Sequence, residues 1–315
     1  MPTPTPTPPL PLPAHALHVR DHGGDGDGPP LVLLHGFGRS LADWEIVAPL
    51  LVPHHRRVLA VDLPGHGRSE GGSGNPGPWS FETTAATIER ALQPYGIPYA
   101  VPVGHSLGGM IALRYAVQNT GRQGGACPGA VNLDGFWWGR PEQYPDLDRT
   151  TVTQGLARIG EMTRSTAGLI APAEYVEQQA LYAGRFGIPY ARAEAATRGA
   201  VRELPDGRFQ TLPLREQALE TFDALDALDV LALIRRVPCP VLCVRGRRPQ
   251  PPMPGMEWFE ELIASHARGL DRDLAELVRD RPDSVTVEDI DATHAMLLEE
   301  PESVAERLLA FTRTL

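Results

Sequence analysis

Residues 101–110 read "VPVGHSLGGM", one serine set among glycines between an apolar run and a helical pattern. Upstream, Ala100, Val101 and Val103 read as the end of a buried strand. Downstream, Met110, Ile111, Leu113 and Ala116 recur at mixed i+3 and i+4 spacing, the period of a helix. Ser106 therefore stands where a strand turns sharply into a helix, with its side chain lifted clear of the sheet. Gly104 and Gly108 flank it as G-x-S-x-G, the nucleophile-elbow pattern, in which a bulkier neighbour would clash inside the turn. The chemistry this arrangement offers is attack by a hydroxyl.

Such a turn needs a sheet beneath it, and the chain supplies one. "LVLLHG" (31–36), "VLAVDLPG" (58–65), "YAVPVG" (99–104), "GAVNLDG" (129–135), "CPVLCVRG" (239–246) and "SVTVEDI" (284–290) are short apolar runs bounded by Gly or Pro. They predict strands buried on both faces of a mainly parallel sheet. Helical patterns at 41–51, 81–95, 107–119, 257–279 and 301–314 alternate with them. The fold class is α/β, with helices on both faces of a mostly parallel central sheet. "HALHVRDHG" adds an antiparallel edge strand. From Trp137 to Arg235 no strand is predicted, only helical and loop segments, so 137–235 reads as an inserted helical cap. The core is then 14–136 plus 236–315, with the cap over the sheet's C-terminal edge, where open α/β sheets bind ligands.

Composition narrows the function further. The 315 residues carry a net charge of −10, which argues against nucleic acid as a partner, since phosphate binding wants a basic surface. All 29 basic side chains are arginine. Three cysteines are too few for a disulfide framework; Cys239 and Cys243, four apart on one strand, stand roughly 13 Å from each other and cannot bridge. Cys127, Cys239 and Cys243 read as buried thiols of a reducing compartment. "MPTPTPTPPLPLP" (1–13) is a proline-rich, disordered extension without the marks of a signal peptide. No run approaches a membrane span, so a cytoplasmic protein acting on a small molecule, with no cofactor and no metal, is expected. Composition does not determine the oligomeric state.

"LVLLHGFG", "VDLPGHGRS", "GHSLGG", a helical cap and "DATHAMLLEEPESVAERLLAF", in that order, resemble the α/β-hydrolase fold over nearly all the chain after residue 14. The resemblance implies a serine nucleophile, an acid and a late histidine, in that order. A serine hydroxyl is a poor nucleophile until a base takes its proton, and neutral imidazole suits that task near neutral pH. His294, after the last strand and before the last helix, takes the family's histidine position. His35 and His66 sit in loop motifs and read as structural; His105 belongs to the elbow and is expected to point away from the nucleophile. The oxyanion donors implied are the backbone N–H groups of Leu107, at a helix N-terminus, and of Phe37 in "HGFG".

The acid departs from the family pattern. Beyond "PVLCVRG", where relatives commonly place it, the loop runs "RGRRPQPPMPG" with no carboxylate. One strand earlier, "VNLDGFWWG" ends in Asp134, which becomes the leading candidate, with Glu257, Glu260, Glu261 and Asp291 as alternatives. Trp137 and Trp138 follow Asp134 and either border the pocket or pack the cap. Arg245, Arg247 and Arg248 either bind a substrate carboxylate or solvate their loop. The expected enzyme is a serine hydrolase cleaving a carboxylic ester or thioester of a small, largely apolar substrate through an acyl-enzyme. An acyltransferase or C–C bond hydrolase on the same fold, and a noncatalytic small-molecule binder, are the alternatives.

Overall fold

Leu31, Val32, Leu33 and Leu34 are all fully buried, as a strand covered on both faces requires. The computed structural model describes residues 17–69, 78–97, 99–119, 127–249 and 255–315, so the proline-rich extension lies outside the described residues. Along the chain, β1 (Val19–Asp21), β2 (Leu31–Leu34), α1 (Val47–Leu51), β3 (Val58–Val61), α2 (Phe81–Leu92), β4 (Val101–His105), α3 (Leu107–Gln118) and β5 (Ala130–Leu133) build the first half. The insert follows with α4 (Arg149–Ser165), β6 (Ile170–Ala171), α5 (Tyr175–Ala183), α6 (Tyr190–Gly199), β7 (Val201–Glu203), β8 (Phe209–Thr211) and α7 (Arg215–Ala227). The chain returns through α8 (Val230–Arg236), β9 (Val241–Gly246), α9 (Glu257–Asp280), β10 (Val285–Ile290), α10 (Met296–Glu299) and α11 (Pro301–Thr312).

Seven strands form the main sheet in the order β1-β3-β2-β4-β5-β9-β10. Only β1 runs antiparallel, pairing Val19 with Val61 at the edge; its neighbours pair in parallel, Leu33 beside Val103 and Val131 beside Leu242. One apolar layer packs α2, α3, α8 and α9 against one face through residues such as Ile88, Ile111, Ile234 and Leu274. The other packs α1 and α11 through Trp44, Val47, Leu308 and Phe311. Each fully buried Leu or Val contributes about 1.5–3 kcal/mol. The mostly parallel α/β sandwich expected from the sequence is the one observed.

Two details differ. The predicted helix over 41–51 is a 3₁₀ turn at Leu41–Trp44 followed by the short α1. The insert, expected to lack strands, contains a three-stranded antiparallel sheet in the order β6-β8-β7. Strands of two or three residues are too short for alternation to show. The signal that was present is the turn: "ELPDGRF" carries Asp-Gly between two extended runs, with Gly207 at φ 80° and Leu204 N–H donating to Arg208 O at 2.8 Å. Among the described residues no helix is long and apolar enough to cross a membrane.

Candidate active site

Ser106 sits at φ 54°, ψ −119°, between β4 and α3. Positive φ crowds Cβ against the backbone, so a non-glycine residue holds it only where its surroundings dictate. Here they do. A Cβ on Gly104 would lie 1.9 Å from Gly108 O, and one on Gly108 would lie 2.3 Å from Leu34 O. The strand, the helix and the neighbouring β2 therefore approach as closely as backbone allows, and Ser106 N–H donates to Leu133 O at 2.9 Å.

Among the described residues, one other non-glycine residue has positive φ: Asp134, at 52°. It ends β5, where Asp134 N–H donates to Val244 O at 2.7 Å. Fully buried Asn132 fixes the turn, accepting from Gly135 N–H at 2.8 Å and donating to Gly135 O at 3.1 Å. Two strained residues from adjacent strand ends thus face the same sheet edge.

His294 joins them from the loop between β10 and α10, with its Nδ1 2.7 Å from Asp134 Oδ2. A carboxylate accepts, so Nδ1 carries the proton and Nε2 is left as the acceptor of the neutral ring. Burial pushes the Asp134 carboxyl up, but the His294 hydrogen bond and charge outweigh it and hold its pKa below the ordinary value. Burial pushes His294 down, and Asp134's bond and charge overcome it, leaving the imidazole above 6.5. Ser106 and His294 line one cavity; among the described residues Ser106 Oγ makes no hydrogen bond.

Of the alternative acids, Asp291 is nine-tenths exposed and pairs with Arg248 at 3.2 Å. Glu257 receives the Gly255 N–H at the start of α9. Neither these nor Glu260 or Glu261 lines the cavity of Ser106.

Of three further residues that position the site, Glu299 and Asp62 were not singled out from the sequence, and His105, read only as part of the elbow and expected to point away from the nucleophile, lines the same cavity as Ser106. His105 packs its ring 4.8 Å from that of His294, and its Nε2 donates to His294 O at 2.7 Å. Burial, reinforced by His294, pushes the His105 pKa down to about 4, so it donates as a neutral ring. Glu299, with its side chain buried, accepts from Thr293 N–H at 2.8 Å and clamps the loop from the other side. Asp62 accepts from Leu41 N–H and Arg68 N–H and ties down the "HGFG" loop's neighbours. "GHSLGG" held the His105 signal; Glu299 and Asp62 are acids among apolar residues, a weaker one.

Neither Phe37 N–H nor Leu107 N–H has a hydrogen-bond partner among the described residues. Leu107 opens α3, where the dipole favours negative charge. His35, fully buried, accepts from Leu63 N–H through Nε2 at 2.9 Å, so its Nδ1–H donates to Gly36 O at 2.7 Å and fixes the peptide before Phe37. His66 is buried beside it, its pKa pushed down to about 3 by burial and by His35. Both histidines are neutral and structural.

The cavity has a volume of about 350 Å³. Its floor is Gly36, Ser106 and His294, and its roof is Tyr182, Phe186 and Ile188 from the insert. Trp137 and Trp138 do not line it. Trp137 stacks on Phe222 at 6.3 Å and donates from Nε1 to Asp226 at 2.7 Å. Trp138 packs with Tyr144, Phe259 and Leu262. The three loop arginines do not line it either, and none simply solvates its loop. Arg245 and Arg247 pair with Asp271, and Arg248 with Asp291, Glu299 and Glu300.

A family model described as the alpha/beta hydrolase fold matches residues 29–154. The pimeloyl-acyl-carrier-protein methyl ester esterase of Methylococcus capsulatus is 31% identical over 229 residues, spanning 71% of this chain and 77% of that protein. Protein phosphatase methylesterase 1 of Homo sapiens is 30% identical over 156 residues, 44% of this chain and 40% of that one. The crystal structure of E-2-(acetamidomethylene)succinate hydrolase superposes with a TM-score of 0.65 at 22% identity, covering 94% of this chain and 95% of that one. The chain belongs to the α/β-hydrolase family.

Proposed function

We propose that the protein hydrolyses a carboxylic ester or thioester through an acyl-enzyme on Ser106. Family and relatives make it an enzyme of the esterase type. The observation that carries the serine mechanism is the 2.7 Å bond between His294 Nδ1 and Asp134, which leaves Nε2 free on the cavity wall that also carries Ser106. His294 Nε2 takes the Ser106 proton as Oγ attacks the acyl carbon. The unpartnered N–H groups of Phe37 and Leu107 receive the oxyanion. His294 then protonates the leaving alcohol or thiol, and a water activated by the same imidazole releases the acid. Asp134 holds the ring's tautomer and stabilises its charged form. The insert closes over the site as a cap, and its Tyr182, Phe186 and Ile188 favour an acyl chain that is apolar next to the scissile bond. Treatment with a fluorophosphonate probe followed by peptide mapping is the test. A label on Ser106, lost in Ser106→Ala together with ester turnover, is expected. An unlabelled serine in a protein that still cleaves esters would overturn the mechanism.

A further inference from the structure

A second cavity of about 380 Å³ adjoins the first, and Phe37, Arg39, Gln179 and Thr197 line both. The wall between them is therefore mostly polar, unlike the roof above Ser106. Arg39 spends one edge of its guanidinium on Asp43: Nε donates to Oδ2 at 2.9 Å and Nη2 to Oδ1 at 2.6 Å. Its Nη1 has no hydrogen-bond partner among the described residues, although the side chain is 29% exposed. Asp43 lines only the first cavity. Among the described residues lining the second, Arg39 is the sole charged side chain.

The uncharged polar groups there agree with that sign. Tyr175 lines the second cavity, and its phenol feels the Arg39 charge. Neither its hydroxyl nor the Gln179 amide makes a hydrogen bond among the described residues. A guanidinium Nη1, a phenol and a carboxamide all donate, and no carboxylate in that chamber competes for them. A planar anion suits a guanidinium edge best, because both its oxygens accept.

We infer that Arg39 is a specificity-determining residue, and that the substrate is an ester whose acyl chain passes the Arg39 neck and ends in a carboxylate bound in the second cavity. This rests on the ester-hydrolase reading above and specifies its substrate class as half-esters of dicarboxylic acids. The apolar roof of the first chamber, Tyr182, Phe186 and Ile188, covers the methylene chain, and the second chamber takes its charged end.

The experiment compares matched esters of graded chain length ending in a carboxylate, a carboxamide or a methyl group. At the length that reaches the neck, the kcat/KM ratio of carboxylate-ended to methyl-ended ester is expected to be about ten- to hundredfold in the wild type, carried mainly by KM. Arg39→Gln leaves Asp43 buried without its partner, so the double variant Arg39→Gln/Asp43→Asn is measured beside it, and Tyr175→Phe as a variant that disturbs no ion pair. The ratio should fall to about one in the double variant and about threefold in Tyr175→Phe. A wild-type preference for the methyl-ended or the carboxamide-ended ester at every length, or a ratio the double variant leaves unchanged, overturns the inference. Turnover without selectivity, with Ser106 labelled, also overturns the inference and leaves the ester-hydrolase reading intact. Absence of both turnover and labelling defeats that reading as well.

Discussion

Replacing Asp134 by Asn changes one oxygen for a nitrogen and tests how the imidazole is held. In the wild type the carboxylate accepts the Nδ1 proton at 2.7 Å and opposes the charge that develops on the ring. Opposite charges about 4 Å apart at an effective dielectric near 20 attract by about 4 kcal/mol, a factor of roughly 10³ in rate if the whole attraction acts on the transition state. An amide that turns its NH₂ toward Nδ1 also selects the other tautomer, placing the proton on Nε2, where it blocks the base. Comparable acid-to-amide changes in other triads cost about 10⁴. The expected loss is therefore about 10³ to 10⁴ in kcat, with thermal stability nearly unchanged. The sign of the pH effect follows from the same bond. On the proposed mechanism His294 must be neutral to accept the serine proton, and Asp134 raises its pKa above the ordinary value, so wild-type activity is expected to decline as pH falls through that raised value. In Asp134→Asn the acid limb should move to lower pH. Steady-state hydrolysis of an activated ester between pH 5 and 9 measures both. A variant with more than about a tenth of wild-type kcat, or an acid limb that stays in place, would refute the assignment.

Ser106→Gly should lower turnover by about 10⁴ or more yet raise the melting temperature, because glycine accepts φ 54° without strain; a gain of about 1 kcal/mol is expected after glycine's extra chain entropy, and an unchanged or lower melting temperature counts against the strain. His105→Phe keeps a ring beside His294 but removes the donor to its carbonyl. A loss of about 1–3 kcal/mol in stability and roughly tenfold in kcat is expected, and full activity would show that His105 does not set the loop. Trp137→Ala should destabilise by about 3 kcal/mol by thermal melt while relative rates across acyl chains hold steady. A changed chain-length profile would place the indole against substrate instead.

The sheet was legible because fully buried strands leave dense apolar runs, and Leu31–Leu34 and Val58–Val61 carry no other message. The elbow was legible because several close backbone contacts each demand glycine, a constraint written directly into "GHSLGG". The pairing of Asp134 with His294 spans 160 residues, and only the family's chain order and the absence of carboxylates after β9 pointed to it. The insert's strands and the partners of Arg245, Arg247 and Arg248 were not legible. Strands of two or three residues show no period, and ion pairs such as Arg248 with Glu299 follow from tertiary placement that no local pattern encodes.

The bond between Trp137 and Asp226 joins the first residues of the insert to the last turn of α7. The excursion that roofs the site therefore leaves and rejoins the core at one spot, like a purse drawn shut at its neck. Closing so long a loop adds little entropy beyond that of a shorter one, since the cost grows only with the logarithm of length. The sheet beneath is continuous without it, Leu133 lying beside Val244 across the gap. A segment of another length, spliced between the same two anchor points, would leave in place the strand ends that carry the hydroxyl and the carboxylate, while the imidazole's loop would lose the packing of Ile188 on Ala295 and Leu298 and the bond from Arg192 to Leu298 O.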